Sequence, residues 1–292
     1  MCAIFGLGFM KGHKITDTSM VRDIIRKLFI ENQARGRTAS GLAFVNSETI
    51  HVVKTNVYGG KLIDLPEYKE AEQKYMTFST LPKGDKKGTA TVYAKAPPIS
   101  FIGHCRLKTK GTETNNVNNH PIVCGDVVGV HNGMISNDDR IFEIYTKVIE
   151  RHGHVDSEVI FALINHFARN YKCSLSKSGD QHSFYKTIQR TSKSLNGSMA
   201  CALVHRLQPY ILWLYRRSNP CDIVLFRDVG MIAWSSAAMY IRTAIKGYEG
   251  ALGKGEIVEL GPNQGVSIDL FRNFIHRYKL PQYQEDAAAH CC

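Results

Sequence analysis

Short apolar runs at both ends of the chain, with amphipathic helical stretches between them, limit the possible fold more than any other feature. Residues 2–6 suit a buried strand, and similar runs recur near 42–45, 50–53, 99–105 and 127–131. After the first run, Thr16, Asp17, Thr18 and Ser19 supply helix-capping side chains. Met20, Val21, Ile24, Ile25, Leu28 and Phe29 then recur at helical spacing. Two further helices are expected over 141–149, with Gly153 as a stop, and over 159–167, with Asp156 at or near the start. The polar stretch 173–197 carries one weaker helix, and strands resume near 199–205, 211–215, 223–226, 231–235 and 256–260. Strands, then helices, then strands argue for an α+β fold with largely antiparallel sheets rather than alternating βαβ units. Residues 81–98, rich in Lys, Gly, Thr and Pro, read as an exposed loop or insertion. No internal repeat or Pro/Ser-rich linker divides the chain, so one domain is expected.

Of the 292 residues, 43% are hydrophobic and 22% charged, which excludes a disordered tail. No stretch approaches the roughly 18–20 apolar residues of a membrane-spanning helix, so no membrane partner is expected. The apolar run at the N-terminus has no basic residue before it and makes a poor secretory signal. The expected location is the cytoplasm, or the host cytoplasm if the source is viral. A formal net charge of +11 attracts phosphorylated metabolites, acidic proteins or nucleic acid, although solubility alone explains it as well. The eight cysteines form no CxxC pair, and most read as reduced, buried, small apolar residues.

Cys2 is distinctive by position. A small second residue permits removal of the initiator methionine, which leaves one residue bearing both a thiol and an α-amine. With reference pKa values of about 8.5 and about 7.7–8.0, the amine can take the thiol proton near neutral pH. A thiolate attacking an amide needs an oxyanion site. The Asn132 side chain and the Gly133 N–H offer one, in an expected turn directly after a strand; alone, Asn-Gly spells a plain hairpin turn. Arg106, at a strand end, can clamp a carboxylate bidentately or make a surface salt bridge. Asp156 is a helix cap or, turned inward, a partner for an ammonium group. His104, Cys105, His120, Cys124 and His131 lie close in sequence, but their spacings match no common zinc pattern, and no metal site is expected. Gly6–Leu7–Gly8 lacks the third glycine of a dinucleotide loop.

Six motifs in order complete this reading: MCAIFG at 1–6, RGRTASG at 35–41, GHCRLKTKG at 103–111, NNHP at 118–121, VHNGMISN at 130–137 and VDSEVI at 155–160. With the later WSS at 234–236, they make the chain resemble the glutaminase domain of class II glutamine amidotransferases, which are N-terminal-nucleophile hydrolases. The nearest likeness is to the glutaminase half of glutamine–fructose-6-phosphate aminotransferase. The likeness covers residues 2–260, and 261–292 would be a C-terminal extension without a domain of its own.

The resemblance implies a four-layer αββα sandwich of the N-terminal-nucleophile type. It implies that Cys2 forms a glutamyl thioester with its own α-amine as base, and that Asn132 and Gly133 make the oxyanion hole. Arg106 would bind the α-carboxylate of free L-glutamine and Asp156 its α-ammonium, with Thr109 and His120 in the same pocket. No cofactor is implied. Thr38 stands where the family usually has Asp, Ala39–Ser40 is altered, Leu107 stands in place of a tryptophan, and Lys110 replaces a histidine. With 32 residues after Leu260, ammonia is expected to reach a separate accepting enzyme or subunit. A binding protein on the same fold need not keep Cys2, Arg106, Asn132 and Asp156 together, and an amidohydrolase for another amide needs no Arg106–Asp156 pair.

Overall fold

The computed structural model describes residues 1–78, 97–170 and 181–284. The expected loop at 81–98 lies almost wholly outside them, as does the start of the 173–197 stretch. Strand β1 (Ala3–Phe9) leads into helix α1 (Thr18–Asn32) and the hairpin β2 (Ala39–Val45) and β3 (Ile50–Thr55). Helices α2 (Gly59–Leu62) and α3 (Pro66–Tyr75) precede β4 (Ser100–Arg106), β5 (Ile122–Cys124) and β6 (Val127–Ile135). Next come α4 (Asp138–Ile144), α5 (Glu158–Asn170) and α6 (Gln181–Ser194), then β7 (Gly197–His205), β8 (Gln208–Arg216), β9 (Asp222–Phe226) and β10 (Met231–Ser235). Helices α7 (Ala238–Ile245) and α8 (Glu249–Leu252) and strands β11 (Gly255–Ile257), β12 (Gln264–Asp269) and β13 (Phe274–Lys279) close the described chain.

Among the described residues the strands form two antiparallel sheets, in the orders β11-β9-β10-β1-β4-β2-β3 and β13-β12-β8-β7-β6-β5. Alternation along each strand decides how they stack, because successive side chains point to opposite faces. On β1, Ala3, Phe5, Leu7 and Phe9 pack with Ile24, Ile25, Leu28 and Phe29 of α1 on the outer face. Ile4 faces the other way, with Ile102 of β4, Val128 and Val130 of β6, and Leu212 and Leu214 of β8, between the sheets. The second sheet carries Phe161, Leu163 and Ile164 of α5 and Phe184 and Ile188 of α6 on its own outer side. The result is the expected αββα sandwich. Gly6 lies where a Cβ would overlap the Trp234 ring and the Phe101 carbonyl, so glycine there lets Trp234 span the inter-sheet core.

Helix α1 begins where the capping residues predict: Asp17 accepts from the Ser19 and Met20 N–H groups, a contact typically worth about 1 kcal/mol. Helix α6 answers the expectation for the polar stretch. Two features differ from the sequence reading. Asn132 and Gly133 do not form a turn after a strand, because β6 continues to Ile135 and pairs them with Ala200 and Met199 of β7. Long-range pairing overrides the local turn preference of Asn-Gly here. The sheet also extends past Leu260: β12 pairs with β8, and Val266 and Ile268 belong to the inter-sheet core.

Candidate active site

Three inward-facing rows end together at one end of the sandwich. On β4 the row is Ile102, His104, Arg106, and on β6 it is Val128, Val130, Asn132. On β1 the same parity runs from Ile4 back to Cys2. Ile4 pairs with His104 and Ala3 with Cys105, so the register brings Cys2 opposite Arg106. Apolar further along, the rows turn polar at this end.

The half-buried Cys2 thiol meets the Leu107 backbone, 3.4 Å from both its N–H and its carbonyl oxygen. Burial raises the Cys2 pKa, while the Leu107 N–H and the positive charge of Arg106 pull it down. Arg35 Nε donates to the Cys2 carbonyl at 3.1 Å. Its loop lies so close that a Cβ on Gly36 would overlap the Arg106–Leu107 peptide. Thr38 bonds the Arg106 carbonyl through both its N–H and its hydroxyl, each at 2.9 Å.

Asn132 is fully buried and joined to the β1 end through one hydroxyl. Ser236 Oγ accepts from the Ile4 N–H at 3.0 Å and from Asn132 Nδ2 at 3.4 Å. The Asn132 backbone carbonyl accepts from Asn219 Nδ2 at 2.9 Å. A Cβ on Gly133 would overlap the Ser198 carbonyl, so the close approach of β6 to β7 beside the site requires glycine. Ser236, Asn219 and Arg35 went unnamed as site residues in the sequence. Ser236 and Arg35 were visible only as parts of motifs, the WSS run and the first residue of RGRTASG, and Asn219 lies in neither.

Arg106 is buried, and both of its terminal nitrogens are engaged. Its Nη1 donates to Asn119 Oδ1 at 2.8 Å, and its Nη2 donates to the Lys110 and Gly111 carbonyls at 2.7 and 2.8 Å. Lys54 stands behind it, with Nζ donating to the Asn119 and Pro121 carbonyls at 2.7 and 3.0 Å; burial lowers its pKa to about 8. Asp156 lies buried ahead of α5 and accepts from the Ile135 N–H at 2.7 Å, and its charge is felt by both Cys2 and Arg106. Glu158 shapes this approach by accepting from the His152 and Gly153 N–H groups at 2.7 and 2.8 Å. Cys2, Arg106, Asn132 and Asp156 are thus brought together. Thr109 is exposed in the turn beyond Arg106. His120 lies buried behind it, stacked on His104 at 4.1 Å between ring centres.

A histidine cluster underlies the site. His104 Nε2 donates to the His131 carbonyl at 3.1 Å, while His131 bonds Ser157 Oγ at 2.8 Å and the Ser198 carbonyl at 3.2 Å. Donation to the Ser198 carbonyl places the His131 proton on Nε2 and makes Nδ1 the acceptor. Burial pushes the pKa of His104 down to about 3 and lowers those of His120 and His131, so all three rings stay neutral at physiological pH. Among the described residues no group of three or more His, Cys, Asp or Glu is arranged to hold a metal ion.

No protein-family model matches the chain. It is 28% identical over 260 residues to glutamine–fructose-6-phosphate aminotransferase (isomerizing) of Chlamydia pneumoniae, covering 88% of this chain and 35% of that protein. The protein of the same name from Chlamydia caviae is 30% identical over 264 residues, covering 89% of this chain and 36% of its own length. The chain therefore spans about a third of the curated relatives it matches. In structure it superposes with TM-score 0.62 on a glutamine phosphoribosylpyrophosphate amidotransferase from B. subtilis complexed with ADP and GMP. Identity there is 15%, over 95% of this chain and 49% of the other. A second structure, described as the allosteric regulatory enzyme of purine biosynthesis, also gives 0.62, at 16% identity. In sequence the chain is similar to glutamine–fructose-6-phosphate aminotransferases, and in fold it is an αββα sandwich like that of the superposed amidotransferase.

Proposed function

We propose that this chain hydrolyses the side-chain amide of free L-glutamine through Cys2 and delivers the ammonia to an acceptor on a separate subunit. The observation that carries this reading is the convergence of Cys2, Arg106, Asn132 and Asp156 at one end of the sandwich: a nucleophile, an amide donor and one charge of each sign. Removal of Met1 frees the α-amine, which takes the Cys2 thiol proton. The thiolate attacks the δ-carbon of glutamine, and the oxyanion is held by the Asn132 side-chain amide and the Gly133 N–H. The collapsing intermediate releases ammonia, with its extra proton supplied by the α-ammonium, and leaves a glutamyl thioester. Water, deprotonated by the same amine, then attacks the thioester to give glutamate and restore the thiol.

Arg106 would take the α-carboxylate and Asp156 the α-ammonium, with Thr109 and His120 completing the pocket. A peptide-linked glutamine lacks both charges, so it would leave Arg106 and Asp156 unpaired and be rejected. The net charge of +11 favours an acidic accepting subunit.

Glutamate release from L-glutamine tests the reading, using protein whose intact mass shows Met1 gone. Turnover that vanishes in Cys2→Ala is expected. Turnover that persists in Cys2→Ala would exclude Cys2 as the nucleophile.

A further inference from the structure

The Arg106 guanidinium is closed by the chain's own backbone. A guanidinium offers a carboxylate two parallel forks of N–H groups, one through Nε and Nη2 and one through Nη1 and Nη2. Nη2 belongs to both, and here it serves the Lys110 and Gly111 carbonyls at 2.7 and 2.8 Å. A carboxylate can take Arg106 bidentately only after at least one of those carbonyls moves away.

An ion-pair network holds them in place. Lys110 Nζ lies 2.6 Å from Asp138 Oδ2 and 2.8 Å from Asp139 Oδ2. Arg151 reaches the same two carboxylates, at 3.1 Å from Asp138 and 2.6 Å from Asp139. The Asp138 side chain is only 3% exposed, so solvent screens its pairs weakly. The network ties together the turn that follows Arg106, the start of α4 beyond Asn132 and Gly133, and the stretch that leads to Asp156. Lys110 is the link to the turn; Asp138, Asp139 and Arg151 remain paired without it.

We infer that Lys110 is a positioning residue whose ion pairs with Asp138 and Asp139 hold the Lys110 and Gly111 carbonyls on Arg106, and so set how much glutamine is needed to claim the guanidinium. The inference rests on the glutaminase reading. Under it, the turn exchanges between a latched form, with Arg106 occupied from within, and an open form that accepts the α-carboxylate.

The test compares L-glutamine binding by calorimetry in Cys2→Ala and in Cys2→Ala/Lys110→Met, with steady-state kinetics of Lys110→Met and Lys110→Arg alongside. Loss of the latch should tighten binding about tenfold, as when an open form rises from roughly a tenth of the population to most of it. The same change should fall on KM rather than kcat, and Lys110→Arg should restore the parental KM. Equal or weaker glutamine binding in Lys110→Met would overturn the latch while leaving the glutaminase reading intact. Absence of glutamine binding in both proteins would overturn the two together.

Discussion

Asn132 lies within β6 and Cys2 directly precedes β1, and Ser236 Oγ joins the Ile4 N–H of β1, at 3.0 Å, to Asn132 Nδ2, at 3.4 Å. Arg106, although it ends β4, finds its partners in turns: Asn119, the Lys110 and Gly111 carbonyls, and behind them the paired Lys110, Asp138, Asp139 and Arg151. The nucleophile side is therefore fixed by ladder hydrogen bonds and core packing, whose rearrangement would disturb both sheets. The clamp side is fixed by side-chain ion pairs that can part without unfolding anything. Groups that must stabilise a transition state benefit from rigid placement, whereas groups that admit a substrate need an element able to move.

The sharpest way to break this comparison is at Asn132. Asn132→Ala should lower kcat for glutamate release by about 10²–10³-fold with KM little changed, as loss of one oxyanion donor does. A large KM effect instead would place Asn132 on the clamp side. Asp156→Asn should do the reverse, raising KM by about tenfold or more with a smaller change in kcat, because a charged hydrogen-bond partner of the ammonium is lost. Its Ile135 contact survives, since an amide oxygen can still accept. Gly133→Ala tests rigidity rather than chemistry: with the Ser198 carbonyl in the way, the variant should lose about 1–3 kcal/mol of stability in denaturant titration. An unchanged midpoint would show that β6 yields there.

A last comparison concerns the histidines beneath the site. His104, His120 and His131 have folded pKa values depressed by burial below the ordinary 6.5, so the unfolded chain binds protons that the folded chain does not. Their contribution is intact above pH 6.5 and is lost as pH falls, down to about 3 for His104, by at most about 1.4 kcal/mol per pH unit for each ring. The urea midpoint should therefore fall between pH 7 and pH 5, and His104→Gln should flatten that fall. Equal slopes in both proteins would mean the ring titrates alike folded and unfolded.

Much of the rigid side was legible in the sequence. The apolar run of β1, the spacing of apolar residues in α1 and its Asp17 cap are local signals, and the motif order singles out Cys2 and Asn132. Long-range contacts were not legible. Asn132–Gly133 reads as a turn because the pairing with Ala200 and Met199 lies nearly seventy residues away in the chain. The likeness ends at Leu260, yet Asn263, at φ 54°, turns the chain into β12. Arg106 reads in the sequence as a carboxylate clamp or a surface salt bridge, but its occupation by two backbone carbonyls depends on how the next turn folds back. The turn's ion pairs with Asp138 and Asp139 join residues nearly thirty positions apart, which no local pattern in the sequence signals.

Site-specific labelling by a diazoketone analogue of glutamine, read by peptide mapping, tests the central claim most directly. Burial pushes Cys124, Cys201 and Cys221 to about 12 and raises Cys105 further, so these remain inert thiols. The account predicts a single adduct on Cys2, prevented by L-glutamine and not by N-acetylglutamine, which lacks the ammonium that Asp156 would hold. Labelling of other cysteines in place of Cys2, or equal protection by both amides, would contradict it.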